Sequence, residues 1–153
     1  MEDFEVRLSA VGEPRWGITV VRLMMGLILL VAGIQKWAAG IGNFINFVTQ
    51  LGMPLPQVVG PVMATGEIIG GLLLLLGFGA RWVAVWFVCE FLVTSLYVKL
   101  GRGAGWDNAR IDLMLLAGAA MLLIGGSGAL ALDEWLIRRR EPALNTQGVP
   151  ATR

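Results

Sequence analysis

The chain of 153 residues contains no histidine and a single cysteine, Cys89. The lack of histidine removes the usual axial ligand of haem, a common ligand of copper and zinc, and the usual general base near neutral pH. One cysteine cannot form an intrachain disulfide or a Cys-x-x-Cys pair, which excludes a thiol oxidoreductase that works through its own cysteines. We therefore predict no metal site and no self-sufficient oxidoreductase, and we expect Cys89 to be a small buried apolar residue.

Charged residues are also scarce, at 15% of the chain, whereas soluble domains carry roughly 25%. Hydrophobic residues make up 56%, and glycine occupies a further 21 positions. A soluble fold of this length could not hide so much apolar surface, because a large part of its area would still face water. The composition predicts an integral membrane protein, and the net charge of +1 gives no sign of nucleic-acid binding.

Four apolar stretches approach the length of roughly 20 residues that crosses a bilayer as a helix. They are residues 17–37, 58–78, 81–100 and 111–132. The segment before them, residues 1–16, is acidic on balance, which is unlike a cleavable secretory signal. The predicted fold is an all-α membrane protein, a four-transmembrane-helix bundle over residues 17–137 with a polar, disordered tail over residues 138–153.

An even number of spans puts both ends of the chain on one side of the membrane. That side would carry eight lysine and arginine residues, against four on the other, so the positive-inside rule predicts that both termini are cytoplasmic. The longest connection, residues 38–57, then lies outside. Its apolar residues recur at helical spacing before Pro54 and Pro56, which predicts a short amphipathic helix in the outer leaflet between spans one and two. An ordinary loop is the alternative.

Small residues predict which helix faces meet. In the first span Gly26, Gly33 and Gly40 are seven apart and share a face, and small residues allow helices in lipid to approach closely. In the second span Gly70 and other small residues surround Glu67 at helical spacing. Glu67 is therefore expected to face the bundle rather than lipid.

Glu67 and Glu90 lie near the middle of their spans, where a charge costs at least ~2.5–3.5 kcal/mol, so each should be paired or protonated. The depth of the residues along their helices predicts an ion pair between Lys36 and Glu67. A pairing of Arg22 with Glu90 is a weaker alternative. Asp112, at the outer start of the fourth span, has three candidate partners: Lys36, Lys99 and Arg110.

These polar residues have two interpretations. In the first they line an internal site for a quinone headgroup, a proton path or a small solute, and the candidate ligand-binding residues are Lys36, Glu67, Glu90 and Tyr97. Glu90, Thr94 and Tyr97 follow one another at i+4 and i+7, as a polar track. In the second interpretation the charges are structural ion pairs that hold the helices in register, and the residues concerned are Arg22, Lys36, Glu67 and Asp112.

Several local motifs occur in a characteristic order: Ala32-Gly33-Ile34-Gln35-Lys36, Leu51-Gly52-Met53-Pro54-Leu55-Pro56, a glycine- and leucine-rich block from Gly66 to Gly77, and Gly126 to Asp133. In this order the chain resembles the DoxX family of small four-helix membrane proteins, from about Ile18 to Asp133. The sequence departs from the family pattern near its end, at Ala129, Leu130 and Ala131.

The resemblance implies a multi-pass protein of the bacterial or archaeal cytoplasmic membrane, related to subunits of quinol oxidase and thiosulfate:quinone oxidoreductase. It places the recurrent polar positions of the family on Arg22, Lys36, Glu67 and Asp133. It also implies other membrane or redox subunits as partners and quinone as the ligand. Because the chain lacks the usual metal and haem ligands, we expect no covalently bound cofactor, and the electrons must come from another chain or a bound cofactor. Two alternatives stay open: a non-catalytic scaffold or assembly factor, and a small solute or proton transporter.

Overall fold

The protein is described by a computed structural model that covers residues 14–101, 106–129 and 131–132. Over these residues the chain forms helices and turns and no strand, which confirms the predicted all-α class. The helices are α1 (Pro14–Ala38), α2 (Ile41–Gln50), α3 (Pro56–Leu76), α4 (Ala80–Leu92) and α5 (Trp106–Gly125). Helix α4 continues into a π-helix over Val93–Leu100. Most of the predicted N-terminal segment and the whole predicted tail lie outside the described residues.

Two of these helices are long and apolar enough to cross a membrane, over Arg15–Ala38 and Pro56–Leu76. Helix α3 starts with a proline in its first turn, where no intrahelical partner is lost. It ends at Leu76 and is capped by Gly77, whose φ of 69° is left-handed, and the N–H of Phe78 donates to the carbonyl oxygen of Leu73 at 3.0 Å. The first two predicted spans therefore correspond to continuous helices.

The third predicted span, residues 81–100, is not one regular α-helix. It consists of the 13 residues of α4 followed by eight residues of π-helix. In a π-helix the backbone bonds join residues five apart, so the angular spacing of side chains changes. The first step of the predicted polar track is nevertheless present, because Glu90 and Thr94 line one cavity, and the side chain of Tyr97 lies outside the described part of the structure.

The fourth predicted span, residues 111–132, corresponds to a helix with different ends. Helix α5 begins at Trp106 and ends at Gly125, although the apolar run continues to Leu132. The reason is local, because Gly126 and Gly128 adopt positive φ angles of 78° and 70°, which an α-helix does not allow. Apolar composition alone therefore places the end of this helix several residues too late in the chain.

All four long helices contribute to one core, with α1 packed mainly on α3 and α4 mainly on α5. The buried core side chains are Met25 and Leu29 from α1, Leu74 from α3, Ala80, Ala84, Phe87 and Phe91 from α4, and Ala119 and Leu122 from α5. This arrangement brings the C-terminal end of α1 beside the middle of α3, where two of the candidate polar residues lie.

Helices α1 and α3 meet through small residues, as the sequence predicts. A Cβ atom on Gly33 would lie 2.7 Å from the carbonyl oxygen of Ala64, and one on Gly71 would lie 2.6 Å from the backbone nitrogen of Leu30. Gly40 was predicted to share this face, and that prediction is wrong. It lies in the turn after α1 with a φ of 91°, because the helix has already ended at Ala38.

The connection between α1 and α3 contains the predicted short helix rather than an ordinary loop. Helix α2 buries Val48 against the rest of the protein, and a Cβ atom on Gly60 of α3 would lie 3.1 Å from the side chain of Ile45. Glycines with positive φ flank α2 on both sides, at Gly40 and Gly52. The helix is thus folded back over the ends of α1 and α3.

Candidate functional site: a polar cavity beneath helix α2

The first component of the site is an ion pair between Lys36 and Glu67. Lys36 lies in the last turn of α1, about one turn after Gly33, which is in close contact with α3. Glu67 lies in the middle of α3. Lys36 Nζ donates to Glu67 Oε2, as the helix depths predict, and Glu67 is buried, with 5% of its surface exposed. Lys36 Nζ also lies 4.8 Å from the ring centroid of Phe44 in α2, within range of a cation–π contact.

A second ion pair joins the π-helix to α5. Lys99 Nζ lies 2.8 Å from Asp112 Oδ1, and both side chains are mostly buried. Three candidate partners were predicted for Asp112, and the structure shows an ion pair with one of them, Lys99. Each pair joins one positive and one negative charge. The four charges at the end of the helices, the end that α2 covers, therefore sum to zero.

Between the two pairs lies a polar cavity of about 120 Å³. Its charged and hydroxyl side chains are Lys36, Glu67, Glu90, Thr94, Lys99 and Asp112. Helix α2 and the turn after it form the roof through Phe44, Phe47, Val48 and Leu51. We call this the polar cavity.

Two polar atoms at the cavity lack a partner among the described residues. Trp86 Nε1 donates to Glu90 Oε2 at 2.9 Å, but Glu90 Oε1 is buried without a hydrogen bond, and so is Thr94 Oγ1. Leaving such a group unsatisfied costs about 1–3 kcal/mol. The walls of the polar cavity therefore present an acceptor and a hydroxyl to whatever enters it. Within the described ranges, no group of three or more His, Cys, Asp or Glu residues is arranged to hold a metal ion.

Arg22 belongs to a different part of the molecule. Its side chain is fully buried, with 1% exposed, and it donates to the carbonyl oxygen of Ser127 in the turn after α5. One turn away, Thr19 Oγ1 lies 2.9 Å from the carbonyl oxygen of Ala129. The tentative pairing of Arg22 with Glu90 is therefore wrong, because the carbonyl of Ser127 lies next to Arg22 and Trp86 lies next to Glu90. We call this cluster, with Gly77 beside Arg22 Nη1, the Arg22 clasp.

The remaining candidate residues have mixed outcomes. Tyr97 lies in the π-helix, but its side chain is outside the described part of the structure, as is the whole of Asp133. Cys89 was expected to be buried, and this is wrong, since it is exposed. It lines an apolar groove of about 300 Å³ between α3 and α4, because α4 is rotated so that Phe87 and Phe91 face the core instead.

Sequence reasoning missed Trp86 as a partner of Glu90 and did not anticipate the roof over the site. The signal for Trp86 was present, because it precedes Glu90 by four residues, and residues four apart are neighbours on a helix. The roof required knowing how α2 folds back, which depends on the left-handed backbone of Gly40 and Gly52.

Comparison with known proteins gives a consistent result. The family model described as DoxX matches residues 17–100, which run from α1 to the end of the π-helix. "Putative oxidoreductase CatD" of Bacillus subtilis is 32% identical over 125 residues, covering 82% of this chain and 90% of the relative. No solved structure matches the chain significantly.

Two further relatives are membrane proteins by name. Uncharacterized membrane protein Rv3486 of Mycobacterium tuberculosis is 31% identical over 148 residues, covering 86% of this chain and 87% of the relative. Inner membrane protein YphA of Escherichia coli is 29% identical over 128 residues, covering 76% of this chain and 87% of the relative. These matches cover nearly the full length of each relative, so the similarity concerns the whole helical unit rather than one motif.

Proposed function

This chain belongs to the DoxX family of membrane proteins, and from that premise we propose that it is an integral membrane subunit of a quinone-linked respiratory or redox complex. In this role it anchors partner subunits in the bilayer, and its polar cavity binds the headgroup of a quinone or quinol. The observation that carries the proposal is the pair of unsatisfied atoms, Glu90 Oε1 and Thr94 Oγ1, on the wall of the polar cavity.

In the proposed topology four spans cross the membrane, with α4 plus the π-helix as the third and α5 as the fourth. Both termini are cytoplasmic by the positive-inside rule, and α2 lies in the outer leaflet. Large apolar side chains on these helices support the arrangement, since Met114 is 77% exposed, Ile124 83% and Trp82 82%. Such a surface is unfavourable in water and ordinary against lipid.

The charges around the polar cavity suit a neutral ligand with hydrogen-bonding groups. Each lysine already has a carboxylate partner, so of the charged side chains lining the cavity, Glu90 is the one without an ion pair in the described structure. A quinol hydroxyl can donate to Glu90 Oε1, and the oxygen of a quinol hydroxyl or of a quinone carbonyl can accept from Thr94 Oγ1. A quinol can therefore satisfy both atoms, whereas a quinone, which has only acceptors, can satisfy Thr94 Oγ1.

The redox centre of such a complex would come from elsewhere. The chain has no histidine and one cysteine, so its contribution is the anchor and the headgroup site, while electrons pass to or from another chain or a bound cofactor. The printed name of the Bacillus subtilis relative, an oxidoreductase, supports the redox class.

The first test is native mass spectrometry of the protein gently extracted from its own membrane. We expect haem, iron–sulfur or flavin subunits to copurify, with a quinone mass on the complex. A lone monomer or homo-oligomer that carries phospholipid and no quinone would contradict the proposal.

The second test compares two threonine variants in that complex. Thr94→Val removes the hydroxyl at the polar cavity, and we expect a lower quinone-dependent turnover per assembled complex with assembly unchanged. Thr65→Val is the matched control, because Thr65 does not line the polar cavity and lies on a neighbouring groove between α3 and α4, beside Gly66 and Ile69. Equal turnover in both variants would argue against a headgroup site at Thr94.

A non-catalytic scaffold is the second candidate, and the ion pairs favour it. Lys36 with Glu67, and Lys99 with Asp112, satisfy one another within the chain, as purely structural links would. If the scaffold interpretation holds, Glu67→Gln reduces the amount of assembled complex without changing turnover per complex that remains. If the quinone site is correct, the Thr94→Val complex assembles but turns over slowly.

A further inference from the structure

The apolar groove between α3 and α4 lies directly beside the polar cavity. It has a volume of about 300 Å³. Three of its valines are substantially exposed, with Val58 at 59%, Val62 at 47% and Val93 at 46%. In the proposed topology this groove opens to the hydrocarbon of the outer leaflet.

The groove and the polar cavity share part of their walls. Four residues line both: Met53, Met63, Glu90 and Thr94. Methionine side chains are unbranched and repack readily, so the partition between groove and cavity contains two flexible members. The π-helix also begins at this point, at Val93, and π-helical turns occur frequently at functional sites.

The end of the groove is polar, although its walls are apolar. Thr94 is buried, with 8% exposed, and its Oγ1 has no hydrogen-bond partner among the described residues, like Glu90 Oε1. A lipid acyl chain in the groove would leave both atoms unsatisfied, which is unfavourable because a buried polar group without a partner has lost its hydration. A molecule with an apolar tail and a hydrogen-bonding head would satisfy them.

The volumes point to the same class of ligand. The polar cavity alone, at about 120 Å³, is smaller than the roughly 300–1,000 Å³ of ordinary small-molecule sites. The groove supplies the missing space, and it does so with apolar walls. The combined site therefore has a small polar end and a larger apolar end.

We propose that the groove is a lateral entrance from the bilayer, in which a single-tailed amphipathic ligand leaves its tail against α3 and α4 and places its headgroup at Glu90 and Thr94. This inference rests on the proposed function, where the ligand is a quinone or quinol. It adds the route of entry and the site of the tail.

The chain contains its own reporter for this test. Cys89 is the single cysteine, is exposed and lines the groove. In the full chain in lipid nanodiscs, the rate of alkylation of Cys89 by a lipid-soluble maleimide is measured with no quinone, with a tailless quinone and with a quinone that carries a long alkyl tail. We expect the tailed quinone to slow alkylation roughly tenfold at about ten times its Kd, as competition for one site requires. The tailless quinone should leave the rate unchanged.

A bulky substitution in the groove provides the second measurement. Val93→Trp fills the groove, and we expect it to weaken binding of the tailed quinone about tenfold, which corresponds to 1.4 kcal/mol, without changing binding of the tailless quinone. Val20→Trp is the matched control, because Val20 is 58% exposed on α1. It should change neither affinity.

The outcomes separate this inference from the proposed function. If tailed quinone binds, as measured by native mass spectrometry, but neither protects Cys89 nor responds to Val93→Trp, the lateral entrance is wrong and the headgroup site stands. Alkylation of Cys89 without quinone that is already about tenfold slower in nanodiscs than in detergent, and that tailed quinone does not slow further, would also overturn the inference, since the groove would then be an ordinary acyl-chain site. If neither quinone binds, the proposed function itself is wrong.

Discussion

The two ends of the α1–α3 pair are both polar, yet they are built differently. At the Arg22 clasp the packing around Gly77 is close, and a Cβ atom there would lie 2.8 Å from both Ala131 and Arg22 Nη1. At the polar cavity the charges are paired, but a space of about 120 Å³ remains. Polar residues within a membrane helix are thus not equivalent, and unfilled space beside an unsatisfied atom is what distinguishes a candidate site from a structural contact.

A backbone carbonyl is a partner at the clasp, whereas side chains are partners of one another at the cavity. Arg22 donates to the carbonyl oxygen of Ser127, which a substitution at position 127 would leave in place. Lys36 and Lys99 pair with carboxylates, which a single substitution can remove. Each ion pair at the cavity can therefore be broken by a substitution of either partner.

The largest effect is expected from breaking the ion pair at the cavity. Glu67→Ala leaves Lys36 without its carboxylate, and losing one partner of a buried pair costs about 3–5 kcal/mol. The double variant Lys36→Met/Glu67→Ala should recover much of that loss, because no uncompensated charge remains. The free energy of unfolding in detergent, measured for both variants, checks this. Equal destabilisation by the single and double variants would show that the charge is not what matters.

An intermediate effect tests how tightly the clasp is packed around Gly77. Gly77→Ala and Gly79→Ala both place a side chain in the left-handed region, at φ angles of 69° and 60°, which costs roughly 1–2 kcal/mol. Only at Gly77 would the new Cβ atom also clash, because a Cβ atom on Gly79 would have no atom within 4 Å. We therefore expect Gly77→Ala to cost about 1–3 kcal/mol more than Gly79→Ala. Thermal unfolding of the two variants measures this difference, and a larger loss at Gly79 would show that the clasp is not tightly packed at Gly77.

The smallest effect distinguishes a satisfied hydroxyl from an unsatisfied one. Thr19→Val removes the hydrogen bond to Ala129 or Arg15 and should cost about 0.5–1.5 kcal/mol. Thr94→Val removes a hydroxyl that has no partner among the described residues, so the stability of the ligand-free protein should be unchanged or higher. A clear destabilisation by Thr94→Val would mean that the hydroxyl supports the fold, and Thr94 would lose its place in the proposed site.

Features that depend on local spacing were predictable from the sequence. The apolar stretches predicted α1 and α3, and the spacing of Gly26 and Gly33 predicted the close contact between them. The depth of Lys36 and Glu67 along their helices predicted their ion pair, because an antiparallel pair of helices fixes the relative depth of its residues.

Features that depend on the rotation or irregularity of a helix were not predictable. No periodicity marks the change from α4 to the π-helix at Val93, so the irregular second half of the third predicted span could not be anticipated. The exposure of Cys89 follows from the rotation of α4, which is set by Phe87 and Phe91 in the core. The environment of the Thr94 hydroxyl depends on both the π-helix and the rotation of α4.

The charge balance around the polar cavity also has an electrical consequence. The two ion pairs are neutral, so the field across an energised membrane exerts little net force on them, whereas a proton gained or lost at Glu90 is a full elementary charge. Moving one such charge across the whole bilayer is worth about 2.3 kcal/mol per 100 mV. In the proposed topology a proton that reaches Glu90 from outside crosses only part of that distance. The affinity of any ligand whose binding exchanges a proton with this carboxylate would therefore depend on a fraction of the membrane potential.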